Sequence, residues 1–260
     1  MEVHTHSSPA PGGAHTGKMK FTHYLWEFIM LFLAVFCGFL AEYQLEHKIE
    51  KDKEKEFIKS LLSDLKKDSA LLAPNTYVGP RIIQYSDSLI EELQKVPLQG
   101  REKRVYIFLS LISDGLTFKY YDRTVSQLRY SGGFRLIQKQ DVSNALLDYD
   151  VLMREAVSYA TSVESWSFVT PALQKSASIF DINFVFKIYG EARLYLSQPD
   201  SVSFPEIPAL LTYDAKEIKV FSSLQRIAQL TDESKLDYSI RALEKNKELD
   251  SLIRKEYNLK

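Results

Sequence analysis

Apolar positions are spread unevenly along this chain. From 28 to 41 they form an unbroken run, FIMLFLAVFCGFLA, while elsewhere they recur at helical intervals between charged residues. Counted with its ends, the stretch from 24 to 41 holds eighteen residues, about 27 Å of helix at ~1.5 Å per residue, close to the thickness of a hydrocarbon layer. Tyr24 and Trp26 at one end and Tyr43 at the other suit headgroup depth. A transmembrane helix over 21 to 43 is therefore predicted. A cleaved signal peptide fits less well, because cutting after Ala41 or Gly38 places Phe39 or Phe36 where a small residue belongs. A buried core helix is the remaining reading.

Three ionisable residues mark the edges of this segment: His23, Glu27 and Glu42. Near an interface a carboxylate reaches water or stays protonated, so Glu27 reads as an edge residue. His23 lies four residues earlier on the same helical face, a spacing at which an imidazole and a carboxylate can share a proton, and this is the sharper alternative to simple interfacial placement. Ala34 and Gly38 have the small-xxx-small spacing of pairing helices. Lys18 and Lys20 precede the span, and Lys48, Lys51, Lys53, Lys55 and Lys59 follow it among as many acids. Long domains cross membranes despite such flanks, and the side of the body is left open.

After the span, residues 44 to 73 contain no Pro or Gly and are rich in Glu, Lys and Leu. They predict a stalk helix continuous with the membrane helix and ending at Pro74. Ile58, Leu61, Leu62, Leu65 and Leu72 form its apolar stripe. Residues 74 to 260 read as a helical bundle. Pro80 is expected to open one helix that Pro97 closes, and residues 101 to 116 make a central, strongly apolar one. Asp122 is the expected cap of a short helix ended by left-handed Gly132 and Gly133. A long helix is expected from 141 to 168, with Val142, Leu146, Tyr149, Leu152, Met153, Ala156 and Val163 on one face. Residues 181 to 196 fit strand or helix equally, and 197 to 208 read as a Pro-rich loop. A helix from Asp214 to the end closes the bundle, with a break expected at Thr231 to Ser234. The fold class is all-α.

Composition adjusts this picture little. Forty-five per cent hydrophobic residues suffice for a packed core, and 33 basic against 34 acidic residues give no overall field favouring nucleic acid. The one cysteine, Cys37, lies in the apolar run, which excludes an intrachain disulfide and a cysteine-based zinc site. Residues 1 to 20 combine Pro, Gly, Ser and His without apolar periodicity and are expected to be disordered. Their His4, His6 and His15 have no acidic or cysteine partner at a fixed spacing, so no metal site is expected.

No catalytic pattern survives inspection. YSGGF lacks phosphate-loop spacing, and no histidine follows His47, which removes imidazole and thiol chemistry from the body. Asp114, Asp122, Asp141, Asp148 and Asp150 remain as dispersed carboxylates, expected to be caps or solvated groups. No enzyme activity and no cofactor are expected. Between 120 and 137 three arginines alternate with aromatic rings. Tyr120, Tyr121, Arg123, Arg129, Tyr130, Phe134 and Arg135 make a composition common at recognition surfaces, and also one that simply packs and snorkels at a helix corner.

Two segments, HYLWEFIMLFLAVFCGFLAE followed by KEKEFIKSLLSDLKKD, and TVSQLRYSGGFRLIQKQDVSNALLDYD, resemble a group of uncharacterised single-pass membrane proteins found widely in Bacteroidota. The likeness implies an inner-membrane anchor with a helical extramembrane body and carries no activity, ligand or site residue. The expected role is a non-catalytic scaffold, adaptor or accessory subunit of an envelope complex. Its expected partners are membrane lipid and a protein, including a second copy of itself, and not nucleic acid. The alternative is a sensor whose bundle binds a small ligand and signals through the stalk.

Overall fold

A computed structural model describes residues 18–113, 115–198 and 201–259. Residues 1–17 of the expected disordered tail, with His4, His6 and His15, and also Asp114, lie outside them, whereas residues 18 to 20, expected to be disordered, already belong to the first helix. The described residues are mainly helical, with no strand among them. α1 spans Lys18–Gln94, α2 Glu102–Ile112, α3 Arg123–Tyr130, α4 Gln140–Thr161, α5 Val163–Ala177, α6 Ile182–Lys187, α7 Tyr189–Ser197 and α8 Ala215–Glu256. A 3-10 turn covers Gly133–Leu136. Residues 1–53 and 54–260 form two compact units, and the expected stalk divides between them at Lys53.

The described part of the first unit is helix alone. Its side chains from Phe21 to Gly38 are almost all exposed, including Phe28, Phe32 and Phe36, whose rings stack at 6.4 and 5.9 Å. Spacing of four residues puts these rings on one helical face.

In the second unit α1, α4 and α8 build one core. Ile58, Leu61, Leu65 and Leu72 from α1 meet Val142, Leu146, Tyr149 and Met153 from α4 and Ala242, Leu249 and Ile253 from α8. A second core joins the end of α1 to α2, α6 and the start of α8 around Tyr106, Phe180, Phe184 and Phe221. Tyr106 stacks edge-on to both Phe180 and Phe184, at 5.8 and 5.2 Å. Burying each such large side chain contributes roughly 1.5–3 kcal/mol.

Four local expectations are corrected. α1 does not end at Pro74 or restart at Pro80; both prolines sit inside it. An interior proline costs ~3 kcal/mol, and tertiary contacts on both sides of Pro74 offset that cost. Leu72 is fully buried, and the Asn75 side chain donates to Thr117 O at 2.8 Å and to Ser239 Oγ at 2.9 Å. Gly79 lies so close to Leu236 and Leu116 that a Cβ would stand 2.9 and 3.1 Å from their methyls. Second, the helix expected over 141 to 168 is two, because Ser162 turns extended at ψ 153° and separates α4 from α5. Third, α8 runs through Thr231 to Ser234 without interruption, with Thr231 buried. Fourth, only Gly132 is left-handed, at φ +66°, whereas Gly133 belongs to the 3-10 turn and packs against Leu128. The ambiguous stretch 181 to 196 is helical, as α6 and α7. The Asp181 carboxylate caps α6, accepting from Phe184 N at 3.2 Å.

Candidate functional site

Within the apolar stripe of α1 stand three carboxylates, Glu54, Asp64 and Asp68, with residue exposures of 6, 3 and 1%. Offsets of ten and fourteen residues at about 100° per residue keep them within about 80° of one another around the helix. A carboxylate taken from water is tolerated only when it is hydrogen-bonded, and each of these accepts at least two bonds. Glu54 accepts from Gln138 N at 2.7 Å and from the Tyr257 hydroxyl at 2.5 Å. Asp64 accepts from both Thr124 N and Thr124 Oγ1, at 3.2 and 2.5 Å. Asp68 accepts from Tyr121 N at 2.8 Å and from the Tyr149 hydroxyl at 2.9 Å.

These bonds hold the segment from 120 to 138 against α1. They also explain the start of α3. Asp122 occupies the cap position, as expected, yet its carboxylate accepts from Ser126 Oγ instead of a helix amide. The open amide at Thr124 is satisfied from α1 by Asp64, a cap delivered across the fold.

A fourth buried carboxylate, Asp150 on α4, lies beside this row. Arg129 pairs with it, Arg154 reaches it at 2.8 Å, and the Tyr120 hydroxyl donates to it at 3.2 Å. The aromatic and arginine patch is thereby divided. Tyr120, Arg129 and Phe134 turn inward, with Phe134 against the core. Arg123, Tyr130 and Arg135 face solvent, Tyr130 at 87% exposure. Tyr121 is partly exposed and carries the Lys67 ammonium 5.4 Å above its ring. A continuous recognition surface made of all seven residues is not what the fold builds.

Burial pushes Asp68 up from its ordinary 3.8 to about 6; the bonds from Tyr121 and Tyr149 oppose the shift, and the charges of Asp64 and Asp122 add to it. Burial likewise raises the Tyr120 and Tyr149 hydroxyls, helped by Asp150 and Asp68 respectively, so both stay protonated and donate. On α8, Asn246 extends the network, donating through Nδ2 to Leu65 O at 2.9 Å and to the Tyr149 oxygen at 3.1 Å.

At the apolar end of α1, His23 Nε2 and Glu27 Oε1 stand 3.1 Å apart, both well exposed, the pairing that the four-residue spacing predicts. Glu42 is exposed as well. Among the described residues no cluster of three or more His, Cys, Asp or Glu is placed to hold a metal. Two hollows lie away from the α1 acid row. One of about 550 Å³ is lined by Leu93, Val96, Leu98, Tyr213 and Ile218, and an open one of about 560 Å³ by Arg154, Tyr159 and Tyr238.

The fold is all-α, and among the described residues one helix is long and apolar enough to cross a membrane. Comparison with models of known protein families, with curated proteins and with solved structures returns no match. The resemblance drawn from the sequence rests on its motifs alone.

Proposed function

We propose that this is a single-pass, membrane-anchored, non-catalytic scaffold or accessory subunit whose helical body engages another envelope protein or a second copy of itself. One observation carries the anchoring. An eighteen-residue window of α1 has mean hydropathy 2.1, and none of it is buried by the rest of the chain. A core helix of the same composition would be covered. Apolar surface left in water costs roughly 25 cal/mol per Å², and lipid removes that cost. Inner-membrane placement follows the family resemblance.

The non-catalytic reading is supported by the fate of the acids. Glu54, Asp64, Asp68 and Asp150 each accept bonds from their own chain, leaving them as structural ties instead of groups facing a cleft. Alkaline carbonate washing of vesicles tests the anchor: the protein should stay with the membrane pellet, and release into the supernatant overturns the proposal. Mild detergent extraction should then bring a protein partner or a homo-oligomer with it.

The sensor reading draws on one feature, the hollow of about 550 Å³ where α1 ends and α8 begins, a volume within the usual range for small ligands. Filling it with Ile218→Trp separates the two: a scaffold keeps its co-purifying partners, and a sensor loses its response.

A further inference from the structure

We infer that Asp68, Tyr149 and Asn246 form a proton-operated hydrogen-bond relay that rewires the contact between α1, α4 and α8 when Asp68 takes up a proton. The inference stands on donor and acceptor accounting and does not depend on membrane anchoring. Asp68 is 1% exposed, and among the described residues no Lys, Arg or His lies within ion-pair distance of it. As a carboxylate it only accepts, from Tyr121 N and the Tyr149 hydroxyl. That commits the single Tyr149 hydrogen to Asp68 and leaves the Tyr149 oxygen to accept from Asn246 Nδ2. The amide orientation of Asn246 is fixed in turn, because the same nitrogen donates to Leu65 O.

A proton on Asp68 reverses the chain. The carboxyl must now donate its own hydrogen, and the Tyr149 oxygen is the acceptor already at 2.9 Å. The Tyr149 hydrogen then turns away from Asp68. Its other hydrogen-bond partner is the Asn246 side-chain amide, which can accept only by rotating to present its oxygen, and that rotation gives up Leu65 O. One proton from solvent is taken up, two bonds reverse direction and a third, to Leu65 O, is lost.

The surroundings favour uptake near neutrality. From α1, Asp64 faces Asp68 with Lys67 bonded to it. From the segment entering α3 come Tyr120, Tyr121 and Asp122, and from α4 Tyr149, followed by Asp150 with its two arginines. α8 supplies the neutral Asn246. Burial and the charges of Asp64 and Asp122 outweigh the two donated bonds and place uptake at about pH 6.

The sign follows from linkage. The folded state holds this proton more tightly than the unfolded chain, so the stabilisation is full below the ordinary value of 3.8 and is lost as pH rises through about 6.

The test uses the full-length chain in detergent micelles, with melting temperature followed from pH 7.5 to 5. The difference between wild type and Asp68→Asn should change with pH about a midpoint near 6, because Asn does not titrate. Its amide also donates to Tyr149 permanently. Asp232, likewise raised by burial, titrates in both proteins and cancels in the difference. Tyr149→Phe removes a bond that holds Asp68 down, so its midpoint should move to higher pH. A wild type to Asp68→Asn difference that is constant across the window overturns the relay. If Asp68→Asn does not fold, a Tyr149→Phe midpoint identical to wild type overturns it.

Discussion

Thr124 gives both its backbone N–H and its hydroxyl to one carboxylate oxygen of Asp64, sixty residues earlier in the chain. The first turn of α3 therefore depends on α1 for its cap. This fixes the register of the Tyr and Arg segment on the long helix through a backbone amide as well as a side chain.

Replacing Asp64 by Ala should cost about 3 kcal/mol, since two buried donors lose a charged acceptor. Thr124→Val should cost about half as much, because the amide keeps its partner. Denaturant titration of the full chain checks the ratio. Equal losses in the two variants would show that the hydroxyl, and not the cap, carries the tie.

Asp150 predicts a different pattern. Its side chain is 1% exposed, and those of Arg129 and Arg154 are 30% and 50% exposed. Removing both arginines leaves a buried, uncompensated charge and should cost roughly 3–5 kcal/mol. Either single Ala variant should lose less than half of that, because one cation and the Tyr120 hydroxyl remain. Arg135→Ala, at an exposed position, should fall within about 0.5 kcal/mol of wild type. Additive single losses from Arg129 and Arg154 would show that the two do not share the carboxylate.

Much of the architecture is legible in the chain because helical periodicity is a strong signal. Ile58, Leu61, Leu65 and Leu72 stand in the core where their spacing puts them, as do Leu146, Tyr149 and Met153. The apolar stretch and the His23 with Glu27 pair are equally readable. The misreadings come from residues whose local preference was overridden. Pro74 and Pro80 signal a break, and packing around Leu72, Asn75 and Gly79 carries the helix through it. The acid row was missed for a related reason. In a stretch crowded with Glu, Asp and Lys, the mark of a buried acid is its position inside the apolar stripe, as with Asp64 and Asp68 between Leu61, Leu65 and Leu72. Which donors would meet them, from Tyr121, Thr124 and Tyr149, is long-range information that no local pattern holds.

Pro80 offers a test of that override. It is exposed, so Pro80→Ala removes little packing, and it restores a backbone N–H able to donate to the carbonyl four residues earlier. Against a helix gain of ~3 kcal/mol stands a loss of up to about 1 kcal/mol, because Ala frees the unfolded chain. The net expectation is stabilisation by about 2 kcal/mol, seen as a raised denaturation midpoint. A destabilised variant would show that α1 requires the proline ring at this turn.

Glu92 should give an acid dependence opposite in sign to that of Asp68. Its side chain is 4% exposed and meets Lys95 at 2.8 Å, Arg101 at 3.2 Å and Arg104 at 3.3 Å. Burial alone would raise its pKa, but the Lys95 hydrogen bond and the charges of Arg104, Lys95 and Arg101 outweigh burial and hold it below the ordinary 4.5. The folded state thus binds this proton more weakly than the unfolded chain. Its stabilisation is present above pH 4.5 and is lost as pH falls through the lowered folded value. Glu92→Gln should accordingly be less stable than wild type at pH 7, with the gap between the two closing as the solution is acidified below 4.5. Thermal melts of both proteins in the same detergent, taken from pH 7 to 3, measure that gap. A gap that widens toward acid would reverse the assignment and make the three cations spectators to a carboxyl governed by burial.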